Sequence, residues 1–373
     1  MAVRIVEVSN PKEKKIFSHL PYRLHSRQAG WVPPLHRLER NFINPRKNRH
    51  MAHADTLCLL SYTDGLPSGR IMGLINHELR EVEEKRQARF CSFECIDDEQ
   101  TASALLSAVE IWAKKREMAK LIGPIGFTNQ DPQGFIIEGF EERPALNTIH
   151  NFDYIPALVE KAGYFKELDY LTYKIPVPEK APDLYYRLAP RVLERNKVKL
   201  HEFTKKKQAA KYLPKMFRLM NETYRNLHGF VALSEEEIKS RSATYRLMMT
   251  PEFFKILLDE KGDAVAFIFG IRDITEGIRA ARGRLVPLGY LKIRYYQNRA
   301  KRLDLLLGAV KEEYRGRGLD VMMVLALLKS AQAGGIEYAD SHHEAEGNTL
   351  VQAEVKRMGG IVYKRHRIYQ KAL

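Results

Sequence analysis

Between Arg302 and Asp340 the chain runs through an apolar stretch (Leu303, Leu305, Leu307, Val310), the turn Tyr314-Arg315-Gly316-Arg317-Gly318, and an almost wholly apolar segment from Val321 to Leu328. The alternation of the first part predicts a strand, and the last part, apolar on all sides, predicts a buried helix. A helix start leaves backbone N–H groups unpaired and carries the positive end of the macrodipole. A glycine-cleared turn with two arginines at that point suits an anionic phosphate.

The rest of the chain supplies a setting for this unit twice. In the first half, residues 3–8 alternate as a half-buried strand, and Asn10-Pro11 opens a helix with Ile16, Phe17 and Leu20 on one side. Residues 56–62, 70–76 and 88–95 read as an antiparallel meander, followed by a helix over 101–116 and a strand over 121–127. A helix over 154–162 stops at Gly163, and a strand over 168–175 closes the half. The second half repeats the order: a strand near 198–203, a helix holding Tyr212, Met216 and Met220, a helix announced by Ser234-Glu235-Glu236-Glu237, and strands over 253–258 and 264–271. The opening unit, a strand over 336–341, a helix over 349–358 and a strand over 362–369 complete it. Asn151 and Gly163 precede Asn348 and Gly360 by one offset, 348 − 151 = 197 and 360 − 163 = 197. This shared order predicts an internal duplication.

Pro176, Pro178 and Pro182 with their charged neighbours read as a stiff linker, which gives domains 1–175 and 184–373 joined by 176–183. At 373 residues, two domains is also what length predicts. The basic balance, 61 − 46 = +15, favours an acidic partner: a phosphorylated cofactor, nucleic acid or an anionic membrane surface. Cys58, Cys91 and Cys95 show no paired spacing, so no disulfide framework or zinc site is indicated and a cytoplasmic setting is expected. The N-terminus lacks an apolar leader and no segment reaches membrane-spanning length, though peripheral membrane contact needs only a basic or amphipathic patch.

The element order, with Ala309-Val310-Lys311-Glu312-Glu313-Tyr314-Arg315-Gly316-Arg317-Gly318-Leu319, resembles the GNAT superfamily of acyl-CoA N-acyltransferases. The resemblance implies an α/β (α+β) chain of two tandem GNAT-like domains, each a mixed, mostly antiparallel sheet flanked by helices. It implies that acyl-CoA is the co-substrate and that a turn of the form Arg/Gln-x-x-Gly-x-Gly/Ala binds its pyrophosphate, here through Arg315, Gly316, Arg317, Gly318, Leu319 and Asp320. Asp320 departs from the pattern, since Gly or Ala is expected there and a carboxylate repels phosphate. The resemblance further implies that Asn348 faces the pantetheine arm and that backbone near Ala309 and Val310 polarises the thioester carbonyl. The tyrosine often used to protonate the leaving thiolate falls at Val355, so that role is vacant. The first half carries Glu94-Cys95-Ile96-Asp97-Asp98-Glu99-Gln100-Thr101 in place of the turn, acidic and without glycine, and so resembles a domain that does not bind CoA. Trp31-Val32-Pro33-Pro34-Leu35, Gly123-Pro124, Glu138-Gly139-Phe140 and the segment from Tyr363 to Tyr369 extend the resemblance to a bacterial group of tandem GNAT-like proteins, some linked to N-acylation of long-chain amines in sphingolipid synthesis.

Acyl transfer to an amine needs a base, and the segment after the 336–341 strand offers His342, His343 and Glu344. On a continuing strand the two histidines point to opposite faces, so one at most meets the acyl group. The same residues also read as a solvated polar loop; a metal site is disfavoured because adjacent strand residues diverge. The basic stretch from Arg46 to Arg49 reads as a solvated loop or a ligand-gripping one, and the arginines and tyrosines between Arg279 and Arg302 as a solvated insert or a surface for bases or lipid headgroups. The expected activity is acyl-CoA-dependent transfer to an amine, whether a lipid-like amine or a small metabolite. The alternatives are an aminoacyl-tRNA-dependent transferase, which fits the basic charge, and a non-catalytic ligand-binding protein, which fits Asp320 and Val355.

Overall fold

The computed structural model describes residues 3–28, 30–79, 86–181, 183–227 and 229–373, so Pro182 of the expected linker lies outside the described residues. Fourteen strands join in one sheet. From one edge the order is β1 (Val3–Glu7), β2 (Ala54–Thr63), β3 (Leu66–Asn76), β4 (Gln87–Cys95), β5 (Lys120–Gly123), β14 (Ile361–Ala372), β7 (Phe165–Pro176), β12 (Tyr338–Asp340), β11 (Arg302–Val310), β10 (Ala264–Arg272), β9 (Phe254–Leu258) and β8 (Lys199–His201). Two short strands sit off this path: β6 (Phe135–Glu138) pairs β14, and β13 (Glu344–Ala345) pairs β7.

Each half ends its antiparallel run in one parallel pair that holds for only three residues. Residues 87–89 of β4 pair with 120–122 of β5, and residues 302–304 of β11 pair with 338–340 of β12. Past those points β4 and β11 splay away, because the parallel neighbour ends. The closing strands are exchanged: β7 of the first half pairs β12 of the second, and β14 of the second pairs β5 of the first. At the centre β7 and β14 run antiparallel from Ile361 opposite Lys174 to Gln370 opposite Phe165. Arg367 on β14 forks onto Asp169 on β7 at 2.8 and 3.0 Å, a bidentate clasp across this seam.

Twelve α-helices among the described residues cover the two faces. In the first half α1 (Pro11–Leu24) starts in a capping box, with Glu13 N–H donating to the Asn10 side chain at 3.0 Å. It lays Phe17 and Leu20 on Leu60, Met72 and Leu74. After the short α2 (His36–Phe42), α3 (Glu99–Lys114) and α4 (Tyr154–Lys161) take the opposite face, with Leu105, Val109 and Val159 on Leu59, Ile71 and Phe90. The second half opens with α5 (Asp183–Asn196) and α6 (Lys206–Ala209). Next, α7 (Leu213–Thr223) packs Met216 and Phe217 on Ile256, Phe267 and Phe269, beside α8 (Glu235–Met248), α9 (Thr275–Ala280) and α10 (Gly289–Arg299). Leu257 of β9 and Val265 and Ala266 of β10, where the pairing is irregular, meet Leu319 and Met323 of α11 (Leu319–Ala333), and α12 (Thr349–Arg357) completes that layer.

Several expectations need correction. The left-handed helix caps are Gly163 (φ 86°) and Gly359 (φ 80°), and β7 and β14 begin at Phe165 and Ile361. The repeat offset there is therefore 361 − 165 = 196, and Gly360 lies one residue past the cap. Helix α5, hidden by Pro190 and dense charge, carries an apolar stripe at Tyr185, Ala189, Val192 and Leu193 and packs on α11. The insert from Arg279 to Arg302 is a helical hairpin, and β6 adds a short strand between the expected 121–127 strand and 154–162 helix. Arg49, in the basic stretch, is structural: it pairs with Glu237 at 2.9 Å and Glu78 at 3.5 Å, joining the two halves.

Candidate functional site

The turn ahead of α11 is shaped by glycine. Gly316 (φ 71°) and Gly318 (φ 83°) are both left-handed, a conformation that favours glycine. Gly318 is the N-cap and no side chain caps the helix, so the first N–H groups of α11 keep their donors. A Cβ on Gly316 would meet nothing within 4 Å, whereas one on Gly318 would lie 3.0 Å from Val192 of α5. Arg315 Nε donates to the Val310 carbonyl at 3.3 Å, and the Arg317 guanidinium lies 5.5 Å from the Tyr314 ring. Among the described residues neither arginine has an ion-pair partner. Arg191 and Arg195 of α5 line a groove with Arg317 and Gly318. Asp320, exposed in the first helical turn, is not the cap; its charge acts on the Tyr185 hydroxyl of α5. The donors and cations present fit a pyrophosphate.

The splayed part of β11 carries a bulge. Leu307 opposes Phe269 and Leu305 opposes Gly270, which leaves Leu306 unmatched. Lys311 N–H donates to Val265 O, so by alternation Ala309 points its N–H at β10 while Gly308 and Val310 turn theirs toward the splay. The Gly308 N–H meets the Tyr224 hydroxyl at 3.3 Å, and that hydroxyl donates to the Gly308 carbonyl at 2.9 Å. Tyr224 follows α7 directly, and no sequence motif marks it. Burial raises its pKa, so it holds its proton.

At the apex of this splay two carboxylates are cross-strand neighbours, Asp304 and Asp340, both fully buried. Like charges so close are tolerated only with compensation. Arg302 lies 2.8 Å from Asp304 and 2.9 Å from Asp273, and Lys364 of β14 lies 2.9 Å from Asp340. Tyr363 also donates to Asp340. Burial raises the Asp304 pKa, whereas for Asp340 the same burial is outweighed by Lys364 and Arg302, which hold it well below the usual carboxylate range. The guanidinium of Arg302 also grips the carbonyls of Arg143 and Pro144 at 3.2 and 3.0 Å, so the apex fastens a first-half loop to the second half.

Beyond Asp340 the chain breaks out of strand geometry at His342 (φ 59°), whose N–H donates to Asp340 at 2.7 Å. The expected opposite-facing histidines are thus not formed. The His342 ring meets the Leu146 carbonyl through Nε2 at 2.9 Å, and His343 lies against Tyr170 and His366 with ring centroids at 5.2 and 4.4 Å. Burial lowers the pKa of both, which keeps them neutral behind the cleft. Glu344 is paired on β13 with Leu171, and its charge acts on the Tyr224 hydroxyl. Burial, opposed by a hydrogen bond from Asn348, pushes its carboxyl up to about 7. Asn348 Nδ2 is 3.5 Å from that carboxylate and the residue is exposed. Tyr224 thus meets the splayed strand at Gly308, Asn348 lies beside Glu344, and the Glu344 charge is felt at the Tyr224 hydroxyl. Val355, buried in the core, offers no proton. Among the described residues no group of three or more His, Cys, Asp or Glu is arranged to hold a metal ion.

The first splay has the same backbone and is filled. The His25 ring lies between Trp31 at 4.8 Å and Phe152 at 4.4 Å, both nearly parallel to it. Its Nε2 lies 3.0 Å from Glu94 on the splayed part of β4, and Arg70 reaches the same carboxylate at 3.0 Å. Tyr154 donates to the Cys95 carbonyl at 2.8 Å, and Asn151 binds the N–H and carbonyl of Ile136 at 2.8 and 3.2 Å. The start of α3 is closed by Asp98, which accepts from Thr101 N–H at 2.8 Å.

A solved tandem GNAT protein from the clavulanic acid biosynthesis pathway matches all of this chain and 98% of its own length, with a TM-score of 0.55 at 12% identity. The fold is that of a tandem GNAT protein. A GCN5-related N-acetyltransferase from Sphaerobacter thermophilus matches 99% of this chain and 95% of its own, with a TM-score of 0.52 at 12% identity. In sequence, the bacterial ceramide synthase of Caulobacter vibrioides is 25% identical over 378 aligned positions, spanning 99% of this chain and 97% of that protein. Protein YghO of Escherichia coli is 26% identical over 375 positions, spanning 98% and 94%. No family model matches. In tandem GNAT terms, this chain has one filled splay and one open one.

Proposed function

We propose that the chain is an N-acyltransferase that moves an acyl group from a CoA thioester to a lipid-like amine, with the chemistry in the second splay. One observation carries the reading: the open splay joins an uncapped, arginine-flanked helix start to a carboxylate that titrates near neutrality. Arg315, Arg317 and the first N–H groups of α11 bind the CoA phosphates. Glu344 accepts the proton that the amine nitrogen loses as its bond to the acyl carbon forms and the carbon–sulfur bond breaks. A base with a pKa near 7 is matched to that task at neutral pH. Tyr224, kept protonated by burial, donates to the departing thiolate and fills the role vacant at Val355. The inward-turned N–H of Val310 polarises the acyl carbonyl. The lipid-like acceptor is supported by the full-length similarity to a bacterial ceramide synthase.

Thermal unfolding with acetyl-CoA, palmitoyl-CoA and free CoA tests the cofactor. A ligand held at about 100 times its Kd adds about 2.7 kcal/mol of stability, so bound CoA raises the melting temperature by several degrees. Arg317→Glu removes the shift. If no CoA species shifts the wild-type chain, the proposal fails. Thiol release with long-chain and short-chain amines then ranks acceptors, and equal rates for both would sink the lipid assignment.

A further inference from the structure

The α9–α10 hairpin, inserted between β10 and β11, carries an apolar surface that is largely uncovered among the described residues. Helix α10 turns Gly289, Ile293 and Gln297 inward at i, i+4, i+8: Ile293 crosses α9 so closely that a Cβ on Gly277 would lie 2.5 Å from its Cα, and Gln297 donates to the Met248 carbonyl at 2.8 Å. The helical repeat puts Leu291 and Tyr295 on the opposite crest, and they are 61% and 52% exposed. Val286 and Leu288, on the approach to the helix, are 82% and 60% exposed. A surface helix ordinarily shows its polar side to water, and this one shows an apolar crest.

The flanks of that crest are cationic. From Arg279 to Lys301 the chain has seven basic residues and no Asp or Glu. Arg282, Arg284, Lys292 and Arg294 are exposed, and among the described residues none has an ion-pair partner. We propose that this face docks on an anionic phospholipid bilayer, with Val286, Leu288, Leu291 and Tyr295 entering the headgroup layer and the four cations resting on lipid phosphates. Exposed aliphatic side chains flanked by cations gain by entering that layer, whereas a nucleic-acid backbone offers them no apolar partner. Among the described residues no helix is long and apolar enough to cross a membrane, so the contact is interfacial. The inner side of α10 packs Ile293 in the same core as Leu307 and Ala309 of the splayed strand. A lipid amine at the bilayer surface is thereby presented next to the open splay; that last link rests on the acyl-transfer reading, and the docking does not.

Pelleting of the full chain with vesicles separates the outcomes. With phosphatidylcholine containing about 30% phosphatidylglycerol the protein should pellet, and about tenfold less with phosphatidylcholine alone. Reversing the four charges (Arg282→Glu, Arg284→Glu, Lys292→Glu, Arg294→Glu) should weaken binding about a hundredfold or more. The double variant Leu291→Ser, Tyr295→Ser should weaken it about tenfold, with the unfolding midpoint of each variant confirming an intact fold. The proposal is overturned if wild type stays in the supernatant, or if the serine variant pellets like wild type and transfer RNA displaces both, which marks a nucleic-acid surface. Arg317→Glu should pellet like wild type, so loss of CoA binding and loss of docking are read independently.

Discussion

Glu94 and Glu344 each lie just past a three-residue parallel pairing, one beside each splay, and they lead different lives. Glu94 is engaged by His25 and Arg70, and these partners outweigh burial and lower its pKa. Among the described residues Glu344 has no ion-pair partner, and burial, only partly offset by Asn348, raises it to near neutrality. The helix starts differ in the same sense, Asp98 closing one and Gly318 leaving the other open. A repeated backbone thus becomes a strut on one side and, on the acyl-transfer proposal, a reaction cleft on the other through a few side chains: an inserted imidazole, a carboxylate cap and two glycines.

The largest expected effect tests the apex that separates the two splays. Lys364→Met leaves Asp340 ionised and buried beside Asp304, and should cost about 3–5 kcal/mol in urea unfolding. Equal stability for variant and wild type would mean the apex is not the fastening described. Next, Glu344→Gln should lower kcat by about 10²–10⁴. Wild-type kcat/KM should rise with pH through about 7, because the carboxyl must lose its proton to act, and the Gln variant should lose that limb. Glu94→Gln sharpens the contrast: it should leave kcat and its pH profile unchanged while lowering stability by about 1–3 kcal/mol, since Arg70 keeps only Glu39. A loss of turnover in Glu94→Gln would give the first splay a catalytic share. The smallest effect is Asp98→Ala, about 1 kcal/mol of stability for the lost cap, with the melting shift by palmitoyl-CoA intact.

Much of this was legible in the sequence because it rests on local pattern. The strand, glycine turn and apolar helix from Arg302 to Leu328 read directly from alternation and glycine placement, and the acidic residues at 94–101 marked the closed helix start. What escaped depended on distant contacts. Tyr224 earns its place only by reaching Gly308, 84 residues on, and the histidines lost their expected geometry because Asp340 draws the His342 N–H into a left-handed turn. Helix α5 was hidden by its own proline, and the helices of the insert at 279–302 were hidden because their exposed side is apolar as well. The glycine match misjudged the repeat by one residue because sequence letters, unlike φ angles, do not say which of two adjacent glycines turns the chain.

The exchange of closing strands ties the order of synthesis to the order of folding. A ribosome delivers residues 1–176 long before β14, so the first sheet waits with a gap between β5 and β7 until residues 361–372 emerge. During that interval the edges of β5 and β7 present unpaired amides to solvent, and β14 arrives as the peg that seats both halves at once. Truncating the C-terminal strand of this chain would therefore damage the N-terminal sheet first.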